Sequence, residues 1–480
     1  MAHQDVMTLP RIIQGGMGVA ISDWNLANAV SRQGCLGVVS GTGLGQIMIS
    51  RLMEGDLEGH VRRALEHFPF QDIAKRVVET YHVSVPSIPR PPYKRLPMWT
   101  LHPSQALHEL TVVSSFVEVF LAKEGHSNPV GINLLEKLQF PTMTSLYGAM
   151  LAGVDFVFMG AGIPVQVPGI LDRFTEHKEC SYRLDVRGAD RDDDYRVHFD
   201  PQAVFPGIAK KLGALARPCF VPIISSVVLA KSLIKRASGR IDGFIIEMPV
   251  AGGHNAPPRD ANQRNEKGEP VYGAKDVVDL SKIAQLGLPF WLAGGYDSPE
   301  KMTEALAAGA TGIQVGTAFA YCDESGMDEA LKSRVLEEAA TRGVSVRTDP
   351  AASPTGFPFK VLELAGTQSE REVYDERVRL CDIGMMRQIY KREDGKIGYR
   401  CSSEPAEQYL AKGGKLEDME GTSCLCNTLP ATAGYPQRRK DGYTETPLVT
   451  AGDGVADIGK FAKPGRKGYT AKDVLEFLAG

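Results

Sequence analysis

The 480-residue sequence has few cysteines for its length: eight, of which Cys381, Cys401, Cys424 and Cys426 fall in the last hundred positions. That density is too low for a disulfide scaffold. An excess of either charge is also lacking. Lys plus Arg number 54 against 58 Asp plus Glu, a formal charge of −4, which provides no broad electrostatic footprint for nucleic acid or an anionic membrane. Neither is expected as a partner. Long apolar runs are missing too: the longest charge-free stretches, Gln33–Ser50 and Ala305–Cys322, have 18 residues each and are broken by Gly37, Gly41, Gly309 and Gly316. They read as soluble core, not as membrane spans. Asp5 and Arg11 flank a few apolar residues with no basic-then-apolar order, so no signal peptide is expected and the compartment expected is the cytoplasm. What the chain does have is 43% hydrophobic residues, ample for a packed core.

Eight short apolar runs ending in small or polar residues recur along the chain. They are Arg11–Gly18, Cys35–Thr42, Pro129–Leu135, Asp155–Gly162, Cys219–Ser226, Asp242–Met248, Pro289–Gly295 and Gly312–Phe319, each of the length of a buried strand. Helix candidates lie between them: Ser22–Arg32 with Ser22 as cap and Gly34 as stop, Ala230–Ala237, and Pro299–Ala308 with Ser298 as cap. Alternating strand and helix implies a parallel sheet. Eight units ending near residue 320 favour an α/β fold of the closed (β/α)8 TIM-barrel type, with its chemistry on the loops after the C-terminal strand ends. An open doubly wound sheet is the alternative.

The expected layout is a barrel over residues 1–360 and a charged, Gly-rich, Cys-bearing extension over 361–480, packed on the barrel and ending in a helix near Thr470–Leu478. A large insertion after strand 2, residues 43–128, holds a charged helix around Asp56–His67, a Pro-rich segment Ser84–Pro97 and an amphipathic helix near Gln105–Lys123. So long an excursion is expected to form a lid or subdomain over the site. Between the fourth and fifth strands, Glu179–Gln202 is expected to be an exposed hairpin or loop, with Asp190, Asp192, Asp193 and Asp194 as a solvated turn and not a cation site. The late cysteines are of the right type for zinc or an iron–sulfur cluster, but Cys-x-Cys with long gaps is poor spacing. They are expected to be reduced thiols, and no metal is assigned.

Ala293-Gly294-Gly295 and Val315-Gly316-Thr317 close the seventh and eighth runs. In a barrel these ends are neighbours. Glycine backbone can approach an anion closely, the helix starting near Pro299 would point its positive end there, and Thr317 adds a hydroxyl, which is the recurrent phosphate site of such barrels. At the first strand, Gln14-Gly15-Gly16-Met17-Gly18 offers a close backbone surface for a planar ligand, and Asn133 in Gly131-Ile132-Asn133-Leu134 offers an amide to the edge of a flavin ring. Together these suggest FMN. His254, after Ala251-Gly252-Gly253, is the candidate acid–base group, since an imidazole titrating near neutrality can move a proton beside a hydride acceptor.

The motifs IQGGMG, GINL, AGGH, LAGGY and QVGTAF, in this order over about residues 8–360, resemble those of the nitronate monooxygenase family, formerly called 2-nitropropane dioxygenases, whose fold is shared by FMN-dependent enoyl-ACP reductases and NAD(P)H:quinone reductases. The resemblance implies phosphate held at Gly294, Gly295, Gly316 and Thr317, ring contacts from Gly15, Gly16, Met17 and Asn133, and His254 as catalytic base. One departure is that the family commonly has an acidic residue directly before AGGH, where this chain has Val250. The function expected is FMN-dependent oxidation of an alkyl nitronate or similar stabilised carbanion using oxygen. NAD(P)H-dependent reduction of a quinone or enoyl thioester is the alternative, and a non-redox phosphate-ligand-binding barrel is a second one.

Overall fold

The computed structural model describes residues 9–260 and 262–480; Asp5 and its neighbours lie outside them. Eight parallel strands form the expected barrel: β1 (Ile12–Gln14), β2 (Gly37–Ser40), β3 (Val130–Leu135), β4 (Phe156–Gly160), β5 (Cys219–Ile224), β6 (Phe244–Glu247), β7 (Phe290–Ala293) and β8 (Gly312–Val315). Neighbours in the sheet follow chain order from β2 to β8, and β8 pairs with β1. The ring is closed by a parallel bridge between Ile13 and Leu36, carried by Gln14 N–H donating to Leu36 O at 2.9 Å and Leu36 N–H to Ile12 O at 3.1 Å.

All four residues of β2 and of β7 are buried, as expected of strands with side chains inside the barrel on one face and helices on the other. The inner layer includes Ile13, Val38, Phe156, Phe158, Val221, Ile245 and Trp291. Trp291 satisfies its indole N–H on Pro10 O at 2.7 Å, tying the inner layer to the chain that enters β1.

The helix after β1 runs Trp24–Arg32, and its cap is Asp23, which accepts from the N–H groups of Asn25 and Leu26. Ser22, the expected cap, points instead into the β1 loop. Pro299–Ala307 is capped by Ser298 as expected, and the last helix, Ala471–Ala479, is capped by Thr470. Gln105–Lys123 is not amphipathic: 15 of its 19 residues are buried, because it is packed between Trp24–Arg32 and Thr142–Leu151. A buried ion cluster fixes it there. Arg51 reaches Asp23 at 3.1 Å and Glu118 at 2.7 Å, and Glu118 also accepts from Trp24 N–H at 2.8 Å.

Between β4 and β5, Cys180–Arg183 and Arg196–Phe199 form an antiparallel hairpin. At its tip, Asp190 and Asp193 pair with Lys391 at 2.6 and 2.8 Å. All eight cysteines are free thiols, and among the described residues no group of three or more His, Cys, Asp or Glu side chains is arranged to hold a metal ion. Among the same residues no helix is long and apolar enough to cross a membrane.

Truncating Trp291 to Ala removes the largest side chain of the inner layer and the hydrogen bond to Pro10. A loss of about 3–5 kcal/mol is expected, read as a lower denaturant midpoint in equilibrium unfolding. A loss below about 1 kcal/mol would mean that the inner layer collapses readily around the gap.

Candidate functional site

The site is built on the C-terminal strand ends. After β1, Ser22 shapes the glycine loop: its Oγ accepts from Met17 N–H at 2.9 Å and donates to Gly15 O at 3.0 Å. Gly16 lies so close to β3 that a Cβ there would sit 2.4 Å from Asn133 Cβ. Asn133 Nδ2 donates to Gly16 O at 3.1 Å, while its Oδ1 is buried without a partner. An orphaned acceptor of this kind is costly unless a ligand donates to it.

At the end of β7, Gly294 and Gly295 adopt φ of +86° and +75°, the left-handed region that favours glycine. At the end of β8, Gly316 leads into a short helical turn, Thr317–Ala320. No residue of Pro299–Ala307 lines the cavity, whereas Asp297, just before its Ser298 cap, does. The turn at Thr317 lines it directly. Thr317 Oγ1 accepts from Gly452 N–H at 2.8 Å, which leaves its own O–H free to donate.

After β6, the loop Val250–Asn255 is held by distant chain. Gly253 N–H donates to Thr450 Oγ1 at 2.9 Å, Lys360 N–H to Gly253 O at 2.9 Å and Asn255 N–H to Pro358 O at 2.8 Å. Gly252 meets backbone with backbone, a Cβ there being 2.8 Å from Gly452 N. His254 Nε2 lies 2.7 Å from Ser353 Oγ, and its ring packs edge-on against Phe359 with centroids 4.8 Å apart. Burial pushes the imidazole down to about 4. It is therefore neutral across the physiological range and does not titrate near neutrality as the sequence led us to expect, because desolvation penalises the charged form.

All nine residues singled out from the sequence, Gly15, Gly16, Met17, Asn133, His254, Gly294, Gly295, Gly316 and Thr317, line one cavity of about 220 Å³. Three participants were not foreseen. Glu247, the last residue of β6, lines the same cavity, and burial pushes its carboxyl up to about 8; its only sequence signal was an acid closing an apolar run. Thr450 and Gly452 gave none, being some two hundred residues from the loop they hold. A second cavity of about 190 Å³ adjoins the first, sharing Thr42, Leu134, Leu135 and Met386. Its walls include Leu44, Leu96, Trp99, Leu138 and Phe140, with Lys137 and Arg187 among the polar lining.

Residues 183–350, which run from the hairpin through β8 and include His254, Gly294, Gly295 and Gly316, match the family model described as nitronate monooxygenase. A probable nitronate monooxygenase of Staphylococcus saprophyticus is 28% identical over 157 residues, covering 32% of this chain and 41% of that protein. An octahydroindene-carboxyl-CoA dehydrogenase of Mycobacterium tuberculosis is 29% identical over 140 residues, covering 29% of this chain and 35% of that protein. The chain thus spans less than half the length of these relatives. Among solved structures, nitroalkane oxidase from Streptomyces ansochromogenes aligns with a TM-score of 0.48 at 15% identity, covering 98% of this chain and 95% of that one.

The neutral imidazole has a measurable consequence. Its ordinary value is 6.5 and its folded value about 4, so the unfolded chain binds the proton more readily. The stability that His254 contributes is fully present above pH 6.5 and is lost as the pH falls through 4. In nitrogen-labelled protein the His254 ring signals are expected to stay those of a neutral imidazole at pH 5.5; a midpoint near the ordinary value would contradict its burial.

Proposed function

We propose that the chain is an FMN-dependent oxidoreductase that oxidises an alkyl nitronate or similar stabilised carbanion with oxygen. The observation that carries the reading is the meeting in one cavity of a glycine-and-hydroxyl cradle, an unpartnered amide oxygen and a neutral imidazole. The residues fit FMN. The backbone N–H groups around Gly294, Gly295 and Gly316 and the Thr317 hydroxyl would hold its phosphate, Asn133 Oδ1 would accept from a ring N–H, and Gly15, Gly16 and Met17 would lie along the ring. Bound there, FMN supplies a two-electron acceptor.

The chain's own residues do the rest. Ser353 engages His254 Nε2. With Nε2–H donating to Ser353, Nδ1 is the atom that accepts a proton from the substrate. A base held near pH 4 draws protons poorly from weakly acidic carbon, which favours a substrate that arrives already ionised.

One observation favours a second reading, NAD(P)H-dependent reduction of an enoyl thioester. The adjoining cavity has no evident use for a small nitronate, whereas an acyl chain would fill its apolar walls and an anionic tail would meet Lys137 and Arg187. Anaerobic rapid mixing separates the readings. A nitronate alone is expected to bleach the flavin; bleaching by NADH or NADPH but not by nitronate moves the assignment to the reductase.

Two variants test the roles. Gly295→Asp places a carboxylate in the cradle, and asparagine and aspartate tolerate left-handed backbone better than most residues. The protein is expected to fold and to lose FMN; a full complement of FMN would remove the phosphate assignment. His254→Asn is expected to stay yellow and folded, to lose about 10²–10⁴ in rate on a neutral protonated substrate and to lose less on its pre-formed anion. Wild-type rates on both would make the histidine a bystander.

A further inference from the structure

Glu247 stands in a wall between two spaces. On one side is the main cavity. On the other is a small pocket of about 20 Å³, lined by Ser225, Asn255, Arg259, Tyr272 and Asp276 among others, with room for about one water. Glu247 lines both. Asn255 is 1% exposed, its Nδ2 is committed to Ala251 O at 3.0 Å, and its Oδ1 is buried without a partner. A water in the pocket would satisfy that oxygen, and the lining includes Arg259, which is exposed. Among the described residues, Glu247 is the only one that lines both spaces.

The groups facing Glu247 do not neutralise it. In the main cavity these are His254, uncharged, and Asp297, paired with Lys460 at 3.1 Å. In the small pocket, Asp276 accepts from the N–H groups of Arg259 at 2.7 Å and Gly273 at 2.8 Å, and Tyr272 donates its O–H to Ala256 O at 2.9 Å. The Arg259 side chain is exposed. The flanking strands β5 and β7 carry no Asp, Glu, Lys, Arg or His. Among the described residues Glu247 has no ion pair.

We propose that Glu247 is the proton-exchange residue of the main cavity, loaded from solvent through the small pocket and discharging onto a basic atom of the molecule bound against β6. This rests on the reading that the main cavity holds the reacting partners. In the step, the Glu247 O–H bond breaks and a bond from that proton to the acceptor atom forms. The carboxylate left behind recovers a proton from the pocket water, which bulk solvent resupplies. No electrons change hands at Glu247. Burial supports the role by keeping the acid loaded at neutral pH, its value standing at about 8. It also assigns separate tasks to the two groups, since His254 accepts the substrate proton and Glu247 returns one.

The test compares wild type with Glu247→Gln and Glu247→Asp. In FMN-free protein, the carboxyl is neutral when folded up to about pH 8 and ionises at its ordinary 4.5 when unfolded. The stability it contributes is therefore fully present below pH 4.5 and lost as the pH rises through 8, a loss that Glu247→Gln should abolish. In FMN-loaded protein, rapid mixing with a nitronate should show a rate that falls above about pH 8 in wild type. That limb should be absent in Glu247→Gln, with a rate about 10²-fold lower, and Glu247→Asp should recover part of the rate together with an alkaline limb. Stability profiles of wild type and Glu247→Gln that coincide, or wild-type rates and limb in Glu247→Gln, overturn the assignment. Failure of the wild type to take up FMN counts against the flavin reading instead, and the stability profiles, measured without flavin, are independent of it.

Discussion

The barrel mouth depends on a strap of chain, Thr450 to Asp453, that is hydrogen-bonded to both halves of the site. Thr450 Oγ1 receives Gly253 N–H and Gly452 N–H reaches Thr317 Oγ1, while Asp453 N–H donates to Val250 O at 3.1 Å. The loop after β6 has two glycines and little side-chain anchorage of its own, so its path is set by this strap and by Pro358 and Lys360. Lys360, its side chain 6% exposed, secures the strap by an ion pair with Asp453 at 2.6 Å. Each neutral hydrogen bond here is worth only about 1 kcal/mol. Their combined effect is geometric: the imidazole loop and the anion cradle cannot shift independently.

The same enclosure sets the electrostatics. Desolvation acts in opposite directions on the two titratable groups that line the cavity without an ionic partner, lowering His254 and raising Glu247. Both are driven to their neutral forms. A cavity furnished with a neutral base, a neutral acid and backbone N–H groups at one end suits a molecule whose charge is confined to a phosphate at that end. It also leaves room for negative charge to develop in the substrate, the carboxylate of Asp297 being paired with Lys460.

Much of this was legible in the chain because parallel strands buried on both faces read as unbroken apolar runs. All eight barrel strands fall within the runs seen in the sequence, and the glycines and amide at their ends fall in one cavity. What was not legible depended on contacts between distant residues. Ser22 looked like a helix cap, but Asp23 beside it takes that role and releases Ser22 to shape the Gly15–Gly18 loop. Gln105–Lys123 looked amphipathic, yet it is enclosed by neighbouring helices and its buried Glu118 is paired with Arg51. Glu247 looked like the polar end of a strand, and only its place between the main cavity and the small pocket distinguishes it. The strap has no local signature.

The central claim is that the cradle at the ends of β7 and β8 holds the phosphate of FMN. The most direct measurement is the visible absorption of the purified protein, followed by chromatography of whatever colour is released on denaturation. The account predicts the two-banded spectrum of an oxidised flavin, with FMN released at one per chain. A colourless protein that takes up no added FMN, or one that binds riboflavin as tightly as FMN, would contradict it.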